Sequence, residues 1–269
     1  MTLPIHQRRL SCGVPLLVMK NPNVAVATAD VWVRSGAADE PAELAGVSHF
    51  LEHMLFKGSE NHGLGQIERA IENAGGVCNA GTSYDFTHYY VTMPSPQIEV
   101  GVRMLAEMLR RATLDPGELE RERLVILEEW RRKQDPPGAV LFEKLYEELF
   151  EAGPYHAPVI GHKHTIEALS RQAMFDFYRK RYSPGNMALV VTGDVELEEV
   201  YLDRIPLVDV CCAGPHALPI LERALERAED DRRVVLAQVL ALVQSPSGVP
   251  VLVEAVEEQL AGGRLPVLS

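Results

Sequence analysis

Between Val24 and Val200, stretches with apolar residues at every second position are interleaved with stretches where they recur every third and fourth. No other feature restricts the fold as much, because the first spacing lines one face of a strand and the second one face of a helix. VAVATADVWV, Val24 to Val33, reads as a strand ending in a turn at Ser35-Gly36, and the start of the chain, through PLLVMK, reads as the edge of another. A helix follows from Ala45 to Phe56, with Leu51, Met54 and Leu55 as its apolar stripe, and another from Gly65 to Ala74, stopped by Gly75-Gly76. VCNAGTSYDFTHYYVTMP is a hairpin broken at Ser83 to Asp85. Helices are then predicted from Gln97 to Ala112, from the cap Asp115-Pro116 to about Gln134, near Ala139 to Phe150, and from Gln172 to Tyr182. NMALVVTGDV closes the series as a buried strand, so the fold class expected is α+β.

Beyond Val200 the strand signal stops. Pro215, Pro219, Leu221, Ala224 and Glu226 recur as Pro246, Pro250, Leu252, Ala255 and Glu257, a period of 31 residues. Such a period with paired amphipathic helices marks a helical solenoid, in which each unit buries its apolar face on the next. Two units are therefore expected: a domain over 1–200 and a short all-α, HEAT-like repeat segment over 201–269.

A formal charge of -12 argues against nucleic acid, which needs clustered Lys and Arg to displace counterions. No apolar run reaches the length of a membrane span, and the start lacks the long apolar stretch of a secretory signal. Cys12, Cys78, Cys211 and Cys212 show no metal-ligand spacing and fit reduced thiols, so a cytoplasmic location is expected.

The chemistry is concentrated in His49-Phe50-Leu51-Glu52-His53. Two histidines four apart on a helix differ by about 40° in rotation and roughly 6 Å in rise, so one ion can bridge them. Imidazole nitrogens suit zinc, and Glu52, one turn from His49, faces the same side. This order is the inverted form of the HExxH zinc motif. Taken by itself, the pattern is equally consistent with two surface histidines that cap local charges.

The surrounding sequence weighs against that bland reading. SGAADEPAELAGVSHFLEHMLFKGS, AGGVCNAGTSYDFTHYYVTMP, LERERLVILEEWRRKQDPP and YSPGNMALVVTGDV, in that order, resemble the pitrilysin and insulysin family of metallopeptidases, which includes the mitochondrial processing peptidases. The likeness covers about residues 5–200. It implies a half-domain with a mixed sheet flanked by helices, and one zinc ion per chain. His49, His53 and a glutamate on a later helix would hold the zinc, with Glu52 as general base. Glu129 stands at the matching place in ERLVILEEW. Glu122, seven residues earlier, shares its helix face and is expected to orient a histidine, whereas Glu128 points about 100° away. The resemblance also implies an edge strand at Asn79, Ala80 and Thr82 against which an extended peptide pairs; Asn79 and Thr82 are also consistent with a purely structural role in the turn.

Members of that family act as two similar halves around a chamber, and this chain carries one. The expected function is thus a zinc endopeptidase acting with a second half-subunit or as a homo-oligomer. The alternatives are a catalytically silent partner or scaffold that uses the repeats for protein interaction, and a truncated frame.

Overall fold

Period-two stretches become strands and period-3.6 stretches become helices across the described residues of the computed structural model, 5–10, 12–150 and 152–195. Six strands form one mixed sheet: β1 (Ile5–Arg9), β2 (Pro15–Lys20), β3 (Val26–Val33), β4 (Val77–Thr82), β5 (Thr87–Pro94) and β6 (Met187–Gly193). Their spatial order is β1-β2-β6-β3-β5-β4. Every neighbouring pair is antiparallel except β2 and β6, which run parallel. The expected α+β architecture with a mixed sheet is present. The helical-repeat segment over 201–269 and the boundary near 200 lie outside the described residues.

Among the described residues, seven α-helices accompany the sheet: α1 (Val47–Leu55), α2 (Gln66–Asn73), α3 (Ile98–Arg110), α4 (Pro116–Lys133), α5 (Pro137–Leu149), α6 (Lys163–Ala168) and α7 (Arg171–Arg181). The sheet buries one face. Ala27, Ala29, Val31 and Val33 of β3, Tyr89, Val91 and Met93 of β5, and Leu189 and Val191 of β6 all point into the core, while their neighbours stay half-buried. The same alternation holds in β6, an interior strand of the sheet with no exposed residue, in keeping with the buried strand expected there.

α4 starts as its sequence indicates, with Asp115 accepting from the N–H groups of Gly117 and Glu118 and Pro116 at the first helical position. α6 is absent from the helices expected from the sequence: His162 precedes a helix of six residues that includes His164. The helix is held by tertiary bonding, with Thr165 Oγ1 donating to the Ala45 carbonyl at 2.6 Å. Two left-handed glycines make this approach possible. A Cβ on Gly46 (φ +96°) would come within 2.5 Å of the Ile160 oxygen, and one on Gly161 (φ +84°) within 2.2 Å of the Ala45 oxygen.

α1 begins at this junction, and a carboxylate satisfies its first turn. Glu40 accepts from the N–H groups of Gly46 and Ser48, each at 2.6 Å, which neutralises two of the donors a helix leaves unpaired at its start. Burial pushes the Glu40 carboxyl up to about 7, against those two hydrogen bonds. A carboxyl whose folded pKa lies above its unfolded value binds its proton more tightly in the folded state. The resulting stabilisation is fully present below the unfolded value of 4.5 and is lost as pH rises through about 7. Wild-type protein should therefore lose up to about 3 kcal/mol relative to Glu40→Gln between pH 5 and pH 8, measured by urea unfolding across that range.

Candidate metal centre

α1 is buried almost all round. Val47, Ser48, His49, Phe50, Leu51, Met54 and Leu55 are all in the interior, so Glu52 and His53 mark its one partly open side. α4 meets that side through a stripe of Leu119, Glu122 and Ile126, with Glu129 one further step along the same face. A glutamate within an apolar stripe requires partners, because a carboxylate cannot be buried alone. The structure supplies two. Glu122 Oε1 lies 2.8 Å from His53 Nδ1, and Glu122 Oε2 lies 2.7 Å from Lys57 Nζ. Burial by itself would raise the Glu122 carboxyl, but the hydrogen bonds and charges of Lys57 and His53 outweigh it and hold the group below the usual carboxylate range. The carboxylate therefore stays ionised and fixes the His53 ring with Nδ1 protonated, leaving Nε2 as a lone-pair donor.

That nitrogen faces Glu129. Glu129 Oε2 lies 3.7 Å from His49 Nε2 and 3.7 Å from His53 Nε2. One ligand atom from each of the three residues falls within 4.8 Å of the others. Tetrahedral zinc with bonds near 2.0–2.1 Å holds its ligand atoms about 3.3 Å apart, so a small inward closure of these side chains makes the site. The donor set also fits in charge. Burial, against the pull of Glu129, brings the His49 imidazole down to about 4, which leaves it neutral and free to ligate. Lys133 Nζ lies 3.3 Å from Glu129 Oε1, so the oxygen aimed at the histidines is the one the lysine leaves open.

Glu52 stands apart from that cluster. Its carboxylate accepts from Thr82 Oγ1 at the end of β4, and burial raises its carboxyl against that hydrogen bond. The group is poised to take up a proton. β4 is one of the two terminal strands of the sheet, β1 being the other. Of the three residues expected there for peptide pairing, Thr82 is joined to Glu52, while Ala80 opposes Tyr89 of β5. Asn79 is exposed, and its Oδ1 accepts from the Ala80 N–H at 2.9 Å. Glu128 pairs with Arg131 at 2.8 Å, away from the centre, as its helical phase requires.

Lys57 and Lys133 are absent from the sequence-based site, although a signal existed. Each lies four residues after a site residue, His53 and Glu129, at the spacing that brings helical side chains together.

Residues 16–163 match the family described as insulinase (peptidase family M16), and residues 168–201 match the one described as the peptidase M16 inactive domain. The chain is 35% identical over 192 residues to the beta subunit of the mitochondrial-processing peptidase of Blastocladiella emersonii, covering 71% of this chain and 41% of that one. It is 34% identical over 188 residues to an uncharacterized zinc protease of Mycobacterium leprae, covering 70% and 42%. Among solved structures, a protease from Helicobacter pylori superposes with a TM-score of 0.72 at 26% identity, covering 76% of this chain and 51% of that one. The chain thus spans less than half the length of either curated relative.

The Lys57–Glu122–His53 chain yields a direct test. Lys57→Met should leave Glu122 without its cationic partner and lower zinc affinity by about 10-fold or more, read by competition with a chromogenic chelator.

Proposed function

The chain belongs to the insulinase family of peptidases, peptidase family M16, and from that premise we propose that it is the metal-binding half of a zinc-dependent endopeptidase acting on extended peptides. One observation carries this reading. His49, His53 and Glu129 converge, while Glu52 shares α1 with the histidines but stands outside their cluster. Ligand and base roles are thereby assigned to different side chains.

Zinc held by His49, His53 and Glu129 would supply Lewis acidity, which polarises a peptide carbonyl and eases the deprotonation of water near neutral pH. The remaining work falls to the chain. Glu52, with its carboxyl raised by burial, takes the proton from the attacking water and passes it to the leaving amine, a contribution of about 10²- to 10⁴-fold. Thr82 fixes the direction of that carboxylate through its hydroxyl. Because Thr82 also ends β4, the base and the strand that aligns the substrate are joined by one residue. The peptide lies extended along β4, past Asn79 and Ala80, and pairs through its backbone.

β4 ends the sheet, so a peptide placed there pairs with β4 on one side and with no described strand on the other. We assign that second wall to another half, a separate subunit or a second copy. The relative named as a beta subunit supports such pairing. Enclosure would exclude water, strengthen the electrostatics and orient the peptide.

Separate roles for base and ligands make a specific demand on two variants. Glu52→Gln should keep one zinc per chain while hydrolysis of a quenched peptide falls by at least about 10²-fold, and His49→Ala should lose the metal. Elemental analysis beside the activity assay decides it: loss of zinc from Glu52→Gln as complete as from His49→Ala would overturn the division.

A further inference from the structure

His88 is read from the sequence as an ordinary strand residue, and the catalytic reading makes no use of it. Its surroundings are specialised. β5 turns Thr87, Tyr89, Val91 and Met93 towards the helices, which leaves His88 and Tyr90, both half-buried, on the opposite face of the sheet. Two hydrogen-bond distances, 3.2 and 3.3 Å, join His88 Nδ1 to the two carboxylate oxygens of Asp30 on β3. The ring stacks on Trp32 at 4.7 Å and on Tyr90 at 5.6 Å, and Phe86 meets it edge-on at 6.0 Å. A carboxylate only accepts, so Nδ1 carries a proton, and in the neutral ring Nε2 presents a lone pair. Nε2 makes no hydrogen bond to a described residue.

The direction of that lone pair is fixed by a missing side chain. Gly81 of β4 lies directly opposite His88. Its backbone is not left-handed, so glycine is not demanded by conformation. What glycine provides is space: a Cβ there would lie 3.0 Å from His88 Nε2 and 3.3 Å from Cδ2. The imidazole reaches across the terminal strand towards the free edge, where a neighbouring chain would add.

We propose that His88 is the specificity-determining residue of a subsite on that face of the sheet beside β4, one that takes a peptide side chain able to donate a hydrogen bond across Gly81. This rests on the reading of β4 as the strand against which the peptide pairs. The length of that side chain follows from strand geometry. A residue opposite Gly81 points to the same face, with its Cβ about 4.5–5.5 Å from the Gly81 Cβ position. A donor must therefore extend several ångströms beyond its own Cβ to come within about 3 Å of Nε2. Serine and threonine are too short. A side chain of glutamine length reaches, and its amide is the class assigned. The aromatic walls of Trp32, Phe86 and Tyr90 suit the methylene stem and shield the hydrogen bond from water.

Trp32 stacks on His88 and so reports occupancy of the subsite. The chain has two tryptophans, and Trp130→Phe leaves Trp32 as the single tryptophan, excited selectively at wavelengths where tyrosine does not absorb. In the zinc-loaded, full-length Glu52→Gln/Trp130→Phe protein, Trp32 emission is followed on titration with two short alanine–glycine peptides. They differ only in a central glutamine or methionine, which are similar in length. The glutamine peptide should bind about 5- to 10-fold more tightly. His88→Phe, which keeps a stacked ring without the acceptor, should abolish the difference. If that variant does not fold, Gly81→Val, which fills the same space from the edge strand, should abolish it instead. An unchanged preference in the variant overturns the proposal, as does equal binding of the two peptides or the lack of any response in Trp32 to either. Hydrolysis is assayed separately with Glu52 intact, so failure to cleave while the binding preference holds counts against the catalytic reading alone.

Discussion

A carboxylate inside an apolar stripe is the constraint on which the rest of the centre depends. Glu122 occupies a position on α4 that Leu119 and Ile126 define as interior. Removing its charge from water is costly unless the charge is matched at close range. Lys57 and His53, both reaching over from the α1 side, are that match. The contact that holds α4 to α1 therefore also sets the tautomer of His53 and the direction of its Nε2. Packing, charge compensation and metal preorganisation are consequences of one three-residue arrangement, and the position of Glu129 follows from it, because Glu129 lies seven residues along the same rigid helix.

Much of this was legible in the sequence, and the exceptions share a cause. The hairpin of β4 and β5, the helix carrying His49, Glu52 and His53, and the long α4 all follow from local spacing and from Gly and Pro punctuation. The match of the two histidines to a metal also follows from local spacing. Glu129 does not: that it faces them is a property of how two helices pack, and only the family resemblance singled it out. α6 was missed because its six residues carry little helical signal of their own and are held by Thr165 against Ala45. Asp30 and His88 are separated by 58 residues, so nothing in the neighbourhood of either announces the other.

The two lysines illustrate a different limit. His53 to Lys57 and Glu129 to Lys133 are both helical spacings, but such pairs are common on solvated helices and contribute little there. Here both sit at the edge of a cluster of carboxylates. Lys57 meets Glu122 and Lys133 meets Glu129, so the acids of α4 are compensated from two directions before any metal enters. The significance of the spacing came from what lay opposite it.

The sheet order also has a consequence for how the molecule is made. β6 sits between β2 and β3, yet it is the last of the six strands to leave the ribosome. Until Met187–Gly193 is synthesised, the β1–β2 pair and the β3–β5–β4 strands lack the strand that joins them in the native sheet. Unpaired strand edges invite pairing with other chains, and joining the two parts requires contacts of long sequence separation, which form slowly. The parts of the metal centre on α1 and α4 emerge well before that joining strand. The residues of the candidate metal site are therefore synthesised before the strand that joins the two parts of the sheet, and in that interval two strand edges lack their native partner.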